Sequence, residues 1–226
     1  MTVTEFATLH ALDAIITPEV KTTLINAQSV QDKWVAKAFP SSPLSSSKQT
    51  SAWLQQIEDP KQVLTIAQWD SVEAHWQWIR DDVNKNLMTE LSGRVFDSAK
   101  GFDLFHVGCD IFGDDGTITP GVVPLLESPV LSVSRIYVAP ENKQSFAAKF
   151  AEVKGSLEEH IRPRVARYGW REDREEAAEQ EEFLLVTGWE SAEKHFEFAQ
   201  APEFAQFSQI QQYVSRADIK HYKRII

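Results

Sequence analysis

The sequence predicts an α+β fold built from two tandem βαββαβ repeats that close into one pseudo-symmetric barrel-type unit. The main observation is an internal repeat. Val63-Leu-Thr-Ile-Ala-Gln-Trp-Asp-Ser-Val-Glu-Ala-His-Trp-Gln-Trp78 returns as Phe183-Leu-Leu-Val-Thr-Gly-Trp-Glu-Ser-Ala-Glu-Lys-His-Phe-Glu-Phe198. An ungapped shift of 120 residues sets Trp69 on Trp189, Ser71 on Ser191, Glu73 on Glu193 and His75 on His195, as a duplication would. Each copy also runs from a strand-like stretch into aromatics at helical spacing. Finally, glycines and prolines gather between the copies, which gives a first repeat over 1–112, a linker over 113–129 and a second repeat over 130–226.

The elements follow in order. Glu5–Leu12 reads as a strand apolar on both parities, as expected where both sheet faces are covered. Pro18 opens a helix whose apolar stripe runs from Val20 to about Phe39. Pro40–Ser47 is a loop by composition, and strands follow near Ser51–Glu58 and Val63–Trp69. Asp70, with Glu73 three residues on, has the spacing to cap a second helix, and Val72, His75, Trp76, Ile79 and Val83 share one of its faces. Phe102–Phe112 closes the repeat. The second repeat has strands at Val130–Val138, Val165–Glu172, Glu181–Trp189 and Asp218–Ile226. Its helices run from Pro140 to about His160 and over Ser191–Tyr213, the latter with a break expected at Pro202.

Composition bounds the function. At 226 residues and 42% hydrophobic, the chain can bury a sizeable core. A net charge of −10 argues against nucleic acid or an anionic membrane as partner. Part of it is local, since residues 172–182 hold seven acids and one Arg, the pattern of a solvated hairpin tip. The lone Cys109 excludes an internal disulfide and suits a reducing compartment. With no signal-peptide pattern and no membrane-length apolar run, a soluble cytoplasmic protein is expected. Phosphate loops, a serine nucleophile elbow and a dinucleotide fingerprint are missing, and the six histidines show no tight metal spacing.

A βαββαβ unit whose third strand ends in Trp-(Asp/Glu)-Ser-x-Glu-x-His resembles the ferredoxin-like repeats of the dimeric α/β-barrel superfamily, and within it the antibiotic-biosynthesis-monooxygenase-like branch. Both halves share the likeness. It implies ligand binding in the cleft between helices and sheet, and a fused arrangement often seen in fungal proteins of secondary metabolism. Relatives include cofactor-free oxygenases of polyketides, cyclases, small dehydratases and haem-degrading enzymes. The Asn-Trp-His set of the haem-degrading members cannot be assigned here. The resemblance therefore implies a monooxygenase acting on an aromatic or polyketide-like small molecule without a tightly bound cofactor. A cyclase or dehydratase-type lyase and a non-catalytic ligand-binding protein stand as alternatives, and the oligomeric state is left open, a homodimer being one arrangement.

The candidate residues each carry two readings. His75 and His195 lie on the sheet-facing side of their helices, as structural histidines or as a general base. His106 and His221 hold matching places in the closing strands, inside Asp103–Val107 and Asp218–Tyr222. Trp69 and Trp189 plug the strand-to-helix corner or form a stacking wall. Arg135, inside a strand with Tyr137 on its face, is either salt-bridged to Glu190 or Glu158 or serves as an oxyanion partner with Tyr137 as second donor. Trp53 and Trp170 correspond roughly across the repeats as core or pocket wall. The bulkier Trp76 and Trp78, against Phe196 and Phe198, suggest a roomier pocket in the second half.

Overall fold

A computed structural model describes residues 2–42, 44, 50–112, 121–173 and 179–226. The chain forms two compact units, Met1–Asp110 with Lys223–Ile226, and Ile111–Tyr222. Residues 113–120 of the linker, residues 43 and 45–49 of the serine-rich loop and residues 174–178 of the acidic stretch lie outside the described residues.

Unit 1 runs β1 (Val3–His10), α1 (Pro18–Ala38), β2 (Ser51–Gln56), β3 (Gln62–Trp69), α2 (Val72–Arg80), α3 (Asp82–Leu91) and β4 (Phe102–Val107). Its strands pair antiparallel in the order β4-β1-β3-β2. Unit 2 repeats this with β5 (Val130–Val138), α4 (Lys143–His160), β6 (Ala166–Trp170), β7 (Glu181–Trp189), α5 (Ala192–Phe198), α6 (Phe204–Phe207) and β8 (Val214–Arg224). There the order is β8-β5-β7-β6, again antiparallel. The last residues of the chain belong to unit 1, where the Ile225 amide donates to the Trp53 carbonyl at 2.8 Å.

Local chemistry explains the helix starts. Thr17 caps α1, its hydroxyl accepting from the Val20 amide at 3.3 Å, with Pro18 in the first turn. The expected Asp70–Glu73 capping box does not form. Ser71 caps α2 by accepting from the Ala74 amide at 3.1 Å, and Asp70 instead accepts from the Ser42 hydroxyl at 2.8 Å. Ser191 caps α5 in the same way through the Lys194 amide. The predicted apolar stripe of α2 also stops early. Asp81 ends that helix and caps α3 through the Val83 amide, which turns Val83 out to 43% exposure. In unit 2 the long helix expected over 191–213 is broken near Pro202 into α5, α6 and a 3-10 turn, Ser208–Tyr213.

The two units fill the space between helix and sheet differently. In unit 2, Phe146 and Phe150 of α4 pack edge-on against Phe183, with Trp170 against Phe146 and Tyr168 against Phe150. Register corrects the expected pairing of Trp53 with Trp170. Trp53 faces Thr65, and the residue facing the equivalent Leu185 is Tyr168. Trp170 faces Phe183 and so takes the place of Gln55. Trp76 and Trp78 against Phe196 and Phe198 do not decide the room between helix and sheet, because in unit 2 α4 and its sheet supply the rings packed there. Replacing the fully buried Phe146 with Ala should cost about 3–5 kcal/mol of stability by leaving a cavity, read from the urea midpoint.

Candidate active site

Strand register builds the site of unit 1. Glu5 in β1 faces His106 of β4 on one side and Ala67 of β3 on the other. Two residues beyond Ala67 on the same face is Trp69, at the end of β3. The Ser71 cap then starts α2 so that His75, one turn in, stacks on the Trp69 indole with ring centroids 4.5 Å apart. His75 Nδ1 lies 2.7 Å from His106 Nε2, and its Nε2 lies 3.3 Å from Glu5 Oε2. The Trp69 indole N–H donates to the same carboxyl oxygen at 2.8 Å. Glu5, Trp69, His75 and His106 are all buried.

These contacts form a chain of carboxyl, imidazole and imidazole. Burial pushes the Glu5 carboxyl up to about 7, against the opposing pull of the Trp69 N–H. Protonated Glu5 can give its proton toward His75 Nε2, and His75 Nδ1–H then donates to His106. Ionised Glu5 accepts from His75 Nε2–H, and His106 Nε2–H donates to His75. One proton gained or lost at the acid therefore reverses every donor in the chain, near neutral pH, where general acid–base catalysis works best.

Glu5 and His75 form part of the wall of a cavity of about 410 Å³ inside unit 1. Its wall is mainly apolar, with Leu9, Trp53, Met88, Leu91 and Phe96 among the lining residues, and Gln28, Ser51 and Asn84 supply polar groups. Trp53 stacks on Phe96 at 5.6 Å. His106 does not line the cavity and connects to it through His75.

Unit 2 keeps half of this arrangement. Trp189 stacks on His195 at 4.6 Å, and His195 Nδ1 lies 2.7 Å from His221 Nε2. The position of Glu5 is held by Ser132, which faces Thr187 and His221. The Trp189 N–H donates to the Thr187 hydroxyl at 2.7 Å instead. Burial, then the neighbouring His221, lowers His195 to about 4, so it is neutral at physiological pH.

The remaining candidates lie elsewhere in unit 2. Arg135 and Tyr137 are on the face of β5 opposite Ser132, because strand side chains alternate. Arg135 pairs with Glu182, which also accepts from Arg171 at 3.1 Å, rather than with Glu190 or Glu158. Glu158 is held by Lys154. Tyr137 lies beneath the Arg216 guanidinium at 4.0 Å, and Trp170 beneath the Lys143 ammonium at 4.8 Å. None of these contacts is to a histidine. Sequence reading missed Glu5, although a glutamate inside a strand apolar on both parities was itself a signal.

No protein-family model matches the chain, and no curated protein matches it. Solved structures do resemble it along its length. A protein from Fusobacterium nucleatum, named for monooxygenase activity, aligns with a TM-score of 0.61 at 9% identity over 100% of this chain and 93% of its own. An anthrone oxidase-like protein aligns at 0.60 and 14% identity over 100% and 92%. A protein from Lactobacillus acidophilus, also named for monooxygenase activity, gives 0.56 and 9% over 99% and 93%. Such low identity speaks for fold alone: the chain shares the α+β fold of these structures. Among the described residues, no helix is long and apolar enough to cross a membrane.

The raised carboxyl gives a pH prediction. Folded Glu5 titrates near 7 against an ordinary 4.5, so between those values the unfolded chain has ionised while the folded one still holds its proton. Stability of unit 1 is therefore full below about 4.5, falls as pH rises towards 7 and levels above it, by roughly 3 kcal/mol in all. His195, lowered to about 4, adds an opposite rise that both proteins share, so the prediction is a difference: in urea titrations the stability of the native protein relative to Glu5→Gln should fall by this amount across the range.

Proposed function

We propose that unit 1 houses a cofactor-independent monooxygenase acting on an aromatic, polyketide-like small molecule. The observation that carries this reading is the buried Glu5–His75–His106 chain ending at the wall of an apolar cavity. A volume of about 410 Å³ falls within the range of small-molecule sites. The names of the structural neighbours, anthrone oxidase-like among them, agree with it.

On this reading the substrate carries an acidic methylene between aromatic rings. Ionised Glu5 or neutral His75 takes one of its protons, and the apolar walls hold the resulting electron-rich anion. The anion gives an electron to O₂, and the carbon and oxygen radicals join as a peroxide. Protonation and loss of water leave a ketone, so CH₂ and O₂ become C=O and H₂O. Glu5 and the histidines bonded to it first receive the proton and then return it, a task suited to an acid poised near neutrality. Unit 2, as the second copy of a duplicated repeat, serves as scaffold, and the chemistry belongs to secondary metabolism.

The same capacity to take and return a proton favours a second reading, a cyclase or dehydratase-type lyase without O₂. An oxygen electrode with an anthrone as probe, corrected for spontaneous oxidation, separates the two. Glu5→Gln and His75→Gln should each lower turnover by roughly 10²–10⁴-fold, while His195→Gln stays within about twofold. Unchanged turnover in a folded Glu5→Gln protein would sink the assignment. Product formed equally well under nitrogen would leave the lyase reading in its place.

A further inference from the structure

The connection from α4 to β6 spans only residues 161–165, whereas residues 39–50 join α1 to β2. In unit 1 the longer connection reaches the strand-to-helix corner, where Ser42 donates to Asp70 and Leu44 is buried. In unit 2 the corresponding corner carries a notch of about 440 Å³, with Arg162, Arg164, Trp189 and Lys194 among its lining residues. Both arginines also border a second hollow of about 490 Å³, beside Arg167.

Of the three cationic side chains that line this notch, only Lys194 has an acidic partner among the described residues. Lys194 holds Glu197 at 2.6 Å and His160 lies 3.5 Å from Glu203, while Glu190 is exposed at the rim. Among the described residues, neither the Arg162 nor the Arg164 guanidinium has a hydrogen bond or an ion pair. Arg164 Nε is buried without an acceptor, and so is the hydroxyl of Ser128, a residue only 5% exposed. The two groups meet around Gly188, where an added Cβ would come within 2.1 Å of Ser128 Oγ and 3.3 Å of Arg164 Cβ. Buried polar groups normally find partners, and a guanidinium fork matches the oxygens of a carboxylate or phosphate.

We propose that Arg162 and Arg164 form a binding site for a small oxyanion, a phosphate or carboxylate group carried by a small molecule, with Lys194 at its rim. The site lies within unit 2 and is independent of the chemistry assigned to unit 1. In a chain of net charge −10, it is local geometry and not the overall field that attracts the anion.

Thermal unfolding tests this, with inorganic phosphate in one arm and citrate in another, each matched in ionic strength with sodium chloride. A ligand at about ten times its Kd should raise Tm by roughly 3 °C. Arg162→Gln with Arg164→Gln should abolish the shift, and the arm that responds identifies the oxyanion. A second measurement needs no variant: the same anion should protect Arg162 and Arg164 of the native protein from phenylglyoxal, read by peptide mass spectrometry. The absence of both shift and protection with either anion overturns the proposal. So does a shift of equal size in the double variant.

Discussion

Both units fasten helix to sheet with the same contact, and the candidate site is an elaboration of it. A serine cap fixes where the helix begins, so a histidine one turn later lands on the indole that ends the third strand. Its Nδ1 then meets the Nε2 of a histidine in the closing strand, at 2.7 Å in each unit. Stacking and hydrogen bonding together hold the ring in one orientation. Register, cap and indole thus locate the histidine before any chemistry is asked of it.

What the two units do not share is more informative about function. An indole N–H shut away from water needs an acceptor, and Thr187 provides a neutral one in unit 2. Unit 1 has Ala67 at that place and uses Glu5 instead. A buried carboxyl is a costly way to satisfy an indole, since burial drives it up to about 7 even against the pull of the Trp69 N–H. A fold that already has the cheaper solution in its other half has no structural need of the acid. Local departures from such economy are where function is expected.

Much of this was legible in the sequence, and the rest was hidden for physical reasons. The spacing of Trp69, Ser71 and His75, repeated at Trp189, Ser191 and His195, located the corner and its helix. The matching of Asp103–Val107 with Asp218–Tyr222 found both closing-strand histidines. Glu5 escaped because strand partners are set by register, which a single sequence does not display. Arg135 and Tyr137 looked like neighbours of the site, yet strand alternation places them on the opposite face from Ser132. Trp76 and Trp78 were a poor guide to the room in the two halves, since Trp76 turns outward to 37% exposure. The space is decided at α4, β6 and β7, where Phe146, Tyr168, Trp170 and Phe183 occupy unit 2.

The cavity and the acid also reinforce each other. Glu5 owes its raised proton affinity to poor solvation, and its carboxyl belongs to the wall of an apolar chamber. An aromatic molecule entering that chamber displaces water that would otherwise stabilise the ionised form. The carboxylate left beside the ligand is therefore a stronger base than in the empty protein, at the moment a proton is to be taken. At the matching places unit 2 has packed rings between helix and sheet and Ser132 instead of the acid. That the acid and the apolar chamber meet in unit 1, while the matching places of unit 2 hold Ser132 and a cluster of packed rings, is the strongest physical reason for reading them as one site.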